Sequence, residues 1–169
     1  FCAGGDLKER DGMTSAQWQA QHELFERGFM ALIECPVPVI AAVNGVAYGG
    51  GFETLLACDF VFAARHARMA LSEVKLGIMP GGGGTQNLSR AVGERRAKEL
   101  ILSGKPFTAE QAFAWGMVNE MFAPGELMPQ VMATATRLAD NAYQLVREGY
   151  AWNVVMPRFL SIMEQAAHV

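Results

Sequence analysis

Residues 38–53 read PVIAAVNGVAYGGGFE and combine a strand pattern with a glycine run and a glutamate. The stretch begins with an apolar run, Val39 to Val43, which is typical of a strand covered on both faces. Three glycines at 49–51 follow, and then residues that open a helix containing Glu53. A glycine run between a strand and a helix places free backbone N–H groups at the helix start, where they favour negative charge. The stretch therefore predicts either a turn that grips a ligand through backbone amides or, as the alternative, a tight turn without a ligand.

A second pairing of a glutamate with a glycine cluster lies in residues 72–85, SEVKLGIMPGGGGT. Taken alone, Glu53 could simply favour the helix dipole, and Glu73 could form a salt bridge with Lys75 or an arginine. The apolar neighbours of Glu53 predict that its helix is buried, and a buried carboxylate is costly without a role or a partner. If both carboxyl groups face one cavity, their titrations couple, so that one can take a proton from water while the other donates one. The two motifs together indicate acid–base chemistry.

Composition limits the classes of function. The chain has 169 residues, which fits one domain, and 51% of them are hydrophobic, enough for a sizeable core. Its net charge of −3 gives no electrostatic reason to expect nucleic acid or an anionic membrane as a partner. No apolar run reaches the roughly 18 residues that a membrane span needs. The three cysteines show no metal-ligand spacing and indicate reduced thiols in the cytoplasm.

Several other active-site motifs are absent. The sequence has no dinucleotide fingerprint, no phosphate loop of the GxxxxGK[ST] type and no GxSxG nucleophile elbow. The histidines His22, His66 and His168 are scattered and are not at metal-binding spacing from cysteine or aspartate. We therefore expect no metal site.

Strand and helix patterns alternate along the chain, which predicts an α/β fold. A helix capped by Thr14 or Ser15 and ended by Pro36 and Pro38 is expected first. The other predicted elements are strands at 39–43, 59–64, 69–71 and 117–122, and helices at 49–58, 94–102, 108–116 and about 125–141. We predict a polar turn after the glycines at 81–84. The tail from Tyr143 is predicted to be helical and broken at Pro157.

In order and register, residues 1 to about 141 resemble the enoyl-CoA hydratase/isomerase family, also called the crotonase superfamily. The matching segments are FCAGGDLK (1–8), PVIAAVNG (38–45), GGGFE (49–53), ACD (57–59), residues 73–86, EQA (110–112) and GMVN (116–119). Each motif is only moderately specific, but the ordered set is highly specific.

This resemblance implies a fold with a spiral of ββα turns and C-terminal helices used in oligomer assembly. Residues 1–141 would form the crotonase-like core and residues 142–169 the helical region, with a homotrimer or a dimer of trimers expected. The chain begins where the family already has several strands behind it, so the resemblance implies an N-terminal truncation. The bulky Tyr143, Tyr150, Trp152 and Phe159 depart from the family's usual basic helix.

The resemblance also implies the site. Members bind acyl-coenzyme A thioesters and grip the thioester oxygen with two backbone N–H groups, which by position fall on Gly5 and Gly50. The two glutamates of the hydratase branch fall on Glu53 and Glu73. The remaining residues implied in binding substrate or coenzyme A are Ala3, Asp6, Leu7, Lys8, Gly49, Pro80 and Gly81, with Lys8 near the phosphates.

Because both glutamates are present, the resemblance favours hydration of a short or medium 2-enoyl-CoA, as in fatty-acid β-oxidation, without a cofactor. Isomerisation, dehydration and thioester hydrolysis on the same scaffold remain alternatives, since all pass through an enolate. A member that binds RNA or a protein partner without catalysis is a further alternative. It would show a basic stripe with exposed aromatics, whereas here only Arg95 and Arg96 are adjacent cations.

Overall fold

The computed structural model describes residues 1–166, so that His168 lies outside the described residues. The chain folds as α/β and divides into two compact units, Phe1–Pro129 and a second that begins at Gln130. The helices are α1 (Leu7–Arg10), α2 (Ser15–Ile33), α3 (Gly50–Leu56), α4 (Gly84–Val92), α5 (Glu94–Ser103), α6 (Ala109–Ala114), α7 (Leu127–Leu145) and α8 (Trp152–Ala166). The strands are β1 (Ile40–Val43), β2 (Val46–Tyr48), β3 (Phe60–Ala64), β4 (Arg68–Ala70), β5 (Phe107–Thr108) and β6 (Glu120–Phe122).

The strands form two three-stranded sheets. In the first, β1, β3 and β6 are parallel, with Ala41 opposite Val61 and Phe62 opposite Glu120. In the second, β2 pairs in parallel with β4, and β4 pairs antiparallel with β5. The N-terminal segment joins β2 through a parallel bridge between Cys2 and Ala47. Because β1 and β2 follow each other closely, the chain passes from one sheet to the other just before α3.

The core of the first unit holds α3 against the sheets. Phe52 and Leu55 of α3 are fully buried, as are Met69 and Leu71. The ring of Phe52 meets that of Phe107 edge-on, with centroids 5.5 Å apart, the geometry that aromatic pairs prefer. Burial of an aromatic and a leucine side chain is worth roughly 1.5–3 kcal/mol each. The apolar face of α3 therefore fixes the helix that carries Glu53.

Two helices begin with a capping box; the sequence predicts the one at Thr108, and for the other helix it predicts a cap at Thr14 or Ser15. Thr14 caps α2 and Thr108 caps α6, and in each case the glutamine three residues later bonds back to the cap. The side-chain oxygen of the cap accepts an N–H that the helix cannot satisfy itself. The signal is local, so it can be read from sequence.

Three predictions about elements are wrong. The polar turn expected after residues 81–84 is helix α4. The strand expected at 117–122 is limited to β6, because Gly116, with φ of 80°, turns the chain back and the N–H of Met117 bonds to Ala112 O. Pro157 does not break the tail: it lies inside α8, five residues after the start, and the helix continues beyond it, although a proline there removes a backbone hydrogen bond.

The second unit is helical in its described part. A π-helical turn, Val146–Tyr150, separates the end of α7 from α8. Tyr143, Tyr150 and Trp152 are exposed. The domain boundary at residue 141 stays a prediction.

None of the described helices combines the length and the apolar character required to cross a membrane.

Candidate active site

The Glu53 carboxylate is held by the second glycine run. Glu53 lies in the first turn of α3 and is only 2% exposed. Its Oε1 accepts hydrogen bonds from the N–H groups of Gly82 and Gly84, at 2.7 and 2.8 Å. Charge-assisted bonds of this kind are short and strong. Contact with the helix dipole is therefore not the whole role of Glu53, since two amides from another part of the chain fix its orientation.

Glycine is required where these amides approach. A Cβ at Gly84 would lie 2.8 Å from Oε1 and 3.0 Å from Cγ of Glu53. A Cβ at Gly82 would lie 2.7 Å from Cζ of Phe29. These separations are below ordinary van der Waals contact, so either methyl group would displace a neighbouring side chain. The run at 81–84 is thus a cradle for a carboxylate.

Glu73 is buried without a matching cation. It lies in a 3-10 turn, Glu73–Leu76, and is 8% exposed. Its Oε2 is buried and has no hydrogen-bond partner among the described residues. In residues 1–166 no lysine, arginine or histidine forms a salt bridge with it, so the salt-bridge alternative is wrong for the described chain. Burial raises the pKa of Glu73, and the nearby charge of Glu53 raises it further.

The two carboxyl groups both lie near the start of α3. A Cβ at Gly49, the residue before the helix, would lie 3.3 Å from Glu73 Oε1. Glu53 is one turn into the same helix, and its charge acts on Glu73. Buried titratable groups that perturb each other are common at catalytic sites. The structure thus brings together the two glutamates that the sequence singles out, while their catalytic roles stay predictions.

Two backbone N–H groups, one at the start of α3 and one in the loop beside it, have no partner among the described residues. Neither the N–H of Gly5 nor that of Gly50 donates a hydrogen bond to another described residue. Gly50 is the first residue of α3, whose opening N–H groups have no partner within the helix. A Cβ at Gly4 would lie 3.5 Å from Gly50 N and 2.8 Å from Tyr48 O. The loop that contains Gly5 therefore packs directly beside the start of α3.

The N-terminal loop is positioned by β2 and by a helix cap. The Cys2 N–H bonds to Val46 O at 2.9 Å, and the Tyr48 N–H bonds to Cys2 O at 3.0 Å. Asp6 accepts a hydrogen bond from the backbone N–H of Lys8 and so caps α1. The other residues of this loop that the family resemblance assigns to coenzyme A binding are exposed: Ala3, Gly5, Leu7 and Lys8. The loop is therefore open to a ligand at the same end of α3.

A small apolar cleft of about 120 Å³ lies beside Glu73. Its lining includes Leu71, Pro80 and, from α5, Ile101 and Leu102. Of the two assigned residues here, Pro80 is buried in the cleft wall and Gly81 is exposed. A cleft of this kind, with a single carboxyl among apolar side chains, suits a short hydrocarbon group next to a proton donor or acceptor.

Two site residues were not singled out from the sequence. A Cβ at Gly50 would lie 3.7 Å from the ring of Phe25, and the ring of Phe29 contacts Gly82. Phe25 and Phe29 are four residues apart on α2, with ring centroids separated by 4.9 Å. Their helical spacing predicts a core-facing side of α2, but spacing alone does not show that this side covers both glycine runs.

The described side chains do not form, by their positions, a cluster that could ligate a metal ion. No group of three or more His, Cys, Asp or Glu side chains in residues 1–166 could hold one ion.

The chain is similar to a known family model and to curated proteins. Residues 1–152 match the family model described as enoyl-CoA hydratase/isomerase. A putative enoyl-CoA hydratase/isomerase, YngF of Bacillus subtilis, is 43% identical over 148 residues, which cover 88% of this chain and 57% of YngF. The crotonyl-CoA hydratase of Syntrophomonas wolfei is 40% identical over 147 residues, covering 87% of this chain and 56% of that protein. The chain thus spans about half the length of these curated relatives.

The fold agrees with solved structures. The crystal structure of an enoyl-CoA hydratase from Bacillus anthracis superposes with a TM-score of 0.80 at 39% identity, over 99% of this chain and 67% of that one. The expected crotonase-like α/β fold is therefore confirmed. On the family match, the sequence identity and the shared fold, the chain belongs to the enoyl-CoA hydratase/isomerase family.

Proposed function

We propose that the protein is an enoyl-CoA hydratase-type lyase, which adds water across the 2,3 double bond of a 2-enoyl-CoA thioester. The single observation that carries the proposal is the pair of buried carboxyl groups at the start of α3. One, Glu53, is oriented by two amides, and the other, Glu73, keeps an oxygen without a partner in the described residues. Two carboxyl groups suit the addition of water, since one can remove a proton while the other delivers one.

The free amides supply the second requirement. When water adds at C3, negative charge develops on the thioester oxygen as an enolate forms. We assign the N–H groups of Gly5 and Gly50 to that oxygen. Donors fixed in place before the reaction stabilise charge where it grows, and the loss of one typically lowers the rate by about 10²–10³-fold. The positive end of α3, although the helix is short, favours the same negative charge.

The glutamates take separate roles in this proposal. Glu53, oriented by Gly82 and Gly84, takes a proton from the attacking water as the water oxygen bonds to C3. Glu73 delivers a proton to C2, because its raised pKa means that it holds a proton more readily than an ordinary glutamate. Proton exchange with solvent restores both groups. The apolar cleft beside Glu73 would receive a short or medium acyl chain.

The proposal needs no redox cofactor, since hydration transfers no electrons overall, and it assigns proton transfer to the two glutamates without a metal. The partner is the acyl-CoA substrate, with neither nucleic acid nor membrane involved. We further propose a homotrimer or a dimer of trimers in the cytoplasm. The free thiols Cys2, Cys35 and Cys58 support a reducing compartment.

The test is the rate of crotonyl-CoA hydration by single variants. Glu53→Gln and Glu73→Gln keep the size of the side chain but cannot exchange a proton at neutral pH. We expect each to lower kcat by at least about 10²-fold. Glu120→Gln is the matched control, because Glu120 is an exposed residue of β6, and its rate should stay close to that of the wild type. If both site variants retain the wild-type rate, the acid–base assignment is wrong.

Other reactions on this scaffold are separated by a substrate panel. The S. wolfei relative named above is called a hydratase, whereas another relative, from Salmonella arizonae, is called a carnitinyl-CoA dehydratase. Turnover of a 2-enoyl-CoA, a 3-enoyl-CoA, a 3-hydroxyacyl-CoA and a saturated acyl-CoA distinguishes hydration, isomerisation, dehydration and hydrolysis. Salt-dependent RNA binding without affinity for any acyl-CoA would instead favour the non-catalytic alternative.

A further inference from the structure

One side of α2 is connected to the three glycine segments of the site, which are residues 4–5, 49–51 and 81–84. Gln21, Phe25 and Phe29 recur every four residues and so lie along one side of the helix. The Phe25 ring lies beside Gly50, where an added Cβ would be 3.7 Å from it, and the Phe29 ring contacts Gly82. Gln21 reaches the third segment indirectly, through Arg10. This side of α2 is therefore placed to set the relative positions of the site's backbone donors.

Arg10 connects Gln21 to the loop that contains Gly5. Its Nε donates a hydrogen bond to Gln21 Oε1 at 3.1 Å. A Cβ at Gly5 would lie 3.7 Å from Nη2 and 3.8 Å from Cζ of Arg10, so the guanidinium group lies beside Gly5 with room for about one methyl group between them. Arg10 is also less exposed than its neighbours on both sides. The side chain thus folds back over the loop and is tied to α2.

The partner of Arg10 is unexpected for an arginine in this sequence. Three carboxylates, Asp6, Glu9 and Asp11, lie within four residues of it. Even so, Arg10 forms no salt bridge with any carboxylate in the described part of the chain. A planar guanidinium with its Nε held by a neutral amide can cover a backbone segment while it keeps its charge. Its position next to Gly5 is therefore better explained by support of the loop than by local charge pairing.

We propose that Arg10 is a positioning residue, which, anchored by Gln21, holds Gly5 so that its N–H points at the thioester oxygen. The inference rests on the proposed function, in which Gly5 is one of the two donors to that oxygen. Gly5 is exposed, and glycine has the greatest backbone freedom of any residue. An oxyanion donor acts well only if it is in place before charge develops. The Arg10–Gln21 bond supplies the restraint that the glycine lacks.

The test combines steady-state kinetics with the carbonyl stretch of bound crotonyl-CoA, measured by isotope-edited infrared spectroscopy. Arg10→Ala and Gln21→Leu should each lower kcat about tenfold with little change in KM, since misplacement by about 1 Å can cost up to 10²-fold. In both variants the carbonyl stretch should move towards its value in free crotonyl-CoA. The double variant should be no slower than Arg10→Ala alone, because both changes break one connection.

Two further variants separate this role from a structural one. Gln21→Glu keeps an acceptor for Arg10 Nε and should retain the wild-type kcat and carbonyl stretch. Gln19→Leu makes the same change as Gln21→Leu at an exposed position of α2 and should have no effect. Should Arg10→Ala fail to fold, Gln21→Leu, at a half-buried helix position, still decides the matter.

The inference is overturned if Gln21→Leu keeps both the wild-type kcat and the wild-type carbonyl stretch. It is also overturned if Gln21→Leu and Gln19→Leu slow the reaction equally. Failure of the proposed reaction looks different: the wild type would bind crotonyl-CoA without hydrating it, and the carbonyl stretch would still decide the role of Arg10. If the wild type binds no acyl-CoA, both proposals fall.

Discussion

The two glycine runs have similar compositions but use their backbone amides in opposite ways. In the run at 49–51, the N–H of Gly50 donates to no described residue and stays available to a ligand. In the run at 81–84, the N–H groups of Gly82 and Gly84 donate to Glu53. The difference is that a buried carboxylate accepts hydrogen bonds from the second run, whereas no described acceptor bonds to the Gly50 N–H. A glycine run is thus a binding element only when the protein itself leaves its amides free.

The runs also differ in why glycine is needed. Gly49 has φ of 53° and ψ of −127°, a conformation that residues with a side chain rarely adopt. A Cβ at Gly51 would clash with the backbone of Cys2, whereas one at Gly84 would meet the Glu53 side chain. Backbone moves less easily than a side chain does. The first run is therefore constrained by the fold, and the second by the group it orients.

The largest expected effect comes from removal of the free amide in the first run. Proline is tolerated at the first residue of a helix, where its missing N–H has no helical partner. Gly50→Pro should therefore fold and yet lose the proposed donor, whereas Gly50→Ala retains the N–H and meets Phe25 at ordinary contact distance. We expect kcat for crotonyl-CoA hydration to be about 10²-fold lower in Gly50→Pro than in Gly50→Ala. Equal rates in two folded variants would show that the first run is not a binding element.

A smaller effect is expected from crowding of the second run. Gly84→Ala places a methyl group 2.8 Å from Glu53 Oε1, and overpacking of this kind typically costs about 1–3 kcal/mol in unfolding free energy. Because the carboxylate must move, kcat should fall about tenfold as well. Chemical denaturation and steady-state kinetics measure the two losses.

The control for this variant is Gly28→Ala. Gly28 lies within α2, and a Cβ there meets nothing within 4 Å, so the change should stabilise the helix by about 1 kcal/mol. A Gly84→Ala protein with the same stability and rate as Gly28→Ala would contradict the role of the second run as a carboxylate cradle.

The smallest expected effect is on the pH dependence of stability. Burial raises the pKa of Glu73 above its ordinary value of 4.5, so the native state binds this proton more tightly than the unfolded chain. The stability linked to that proton is complete below pH 4.5 and is lost as the pH rises through the native pKa. Glu73→Gln removes the titration. As the pH rises through this range, urea unfolding should therefore show the variant gaining stability relative to the wild type. If the difference in unfolding free energy between the two proteins does not change with pH, the pKa of Glu73 is not raised.

The elements predicted well are those with local signals. Thr14 and Thr108 cap helices because the bonds they make lie within four residues. The strand predicted at 59–64 from its apolar run is observed at Phe60–Ala64. Helix α4 was missed because its sequence begins with glycine and is mostly polar; its buried residue Leu88 becomes evident only in the packed structure.

The site was predictable as a set of residues but not as an arrangement. Glu53 and Glu73 stand out by their glycine neighbours, and the family resemblance adds Gly5 and Gly50. Nothing local indicates that Gly82 and Gly84 donate to Glu53, since that contact joins positions about thirty residues apart. The bond between Arg10 and Gln21 likewise depends on how α1 and α2 pack. Long-range contacts of this kind are specified by the whole fold.

A crystal structure of the protein with bound acetoacetyl-CoA shows directly whether the free amides hold the thioester. We expect the thioester oxygen to lie about 2.7–3.1 Å from both Gly5 N and Gly50 N. We also expect the carboxyl groups of Glu53 and Glu73 to lie next to the carbon atoms that correspond to C2 and C3 of an enoyl substrate. A thioester oxygen bound away from the Gly50 amide, or carboxyl groups turned away from those carbons, would show that the proposed site is wrong.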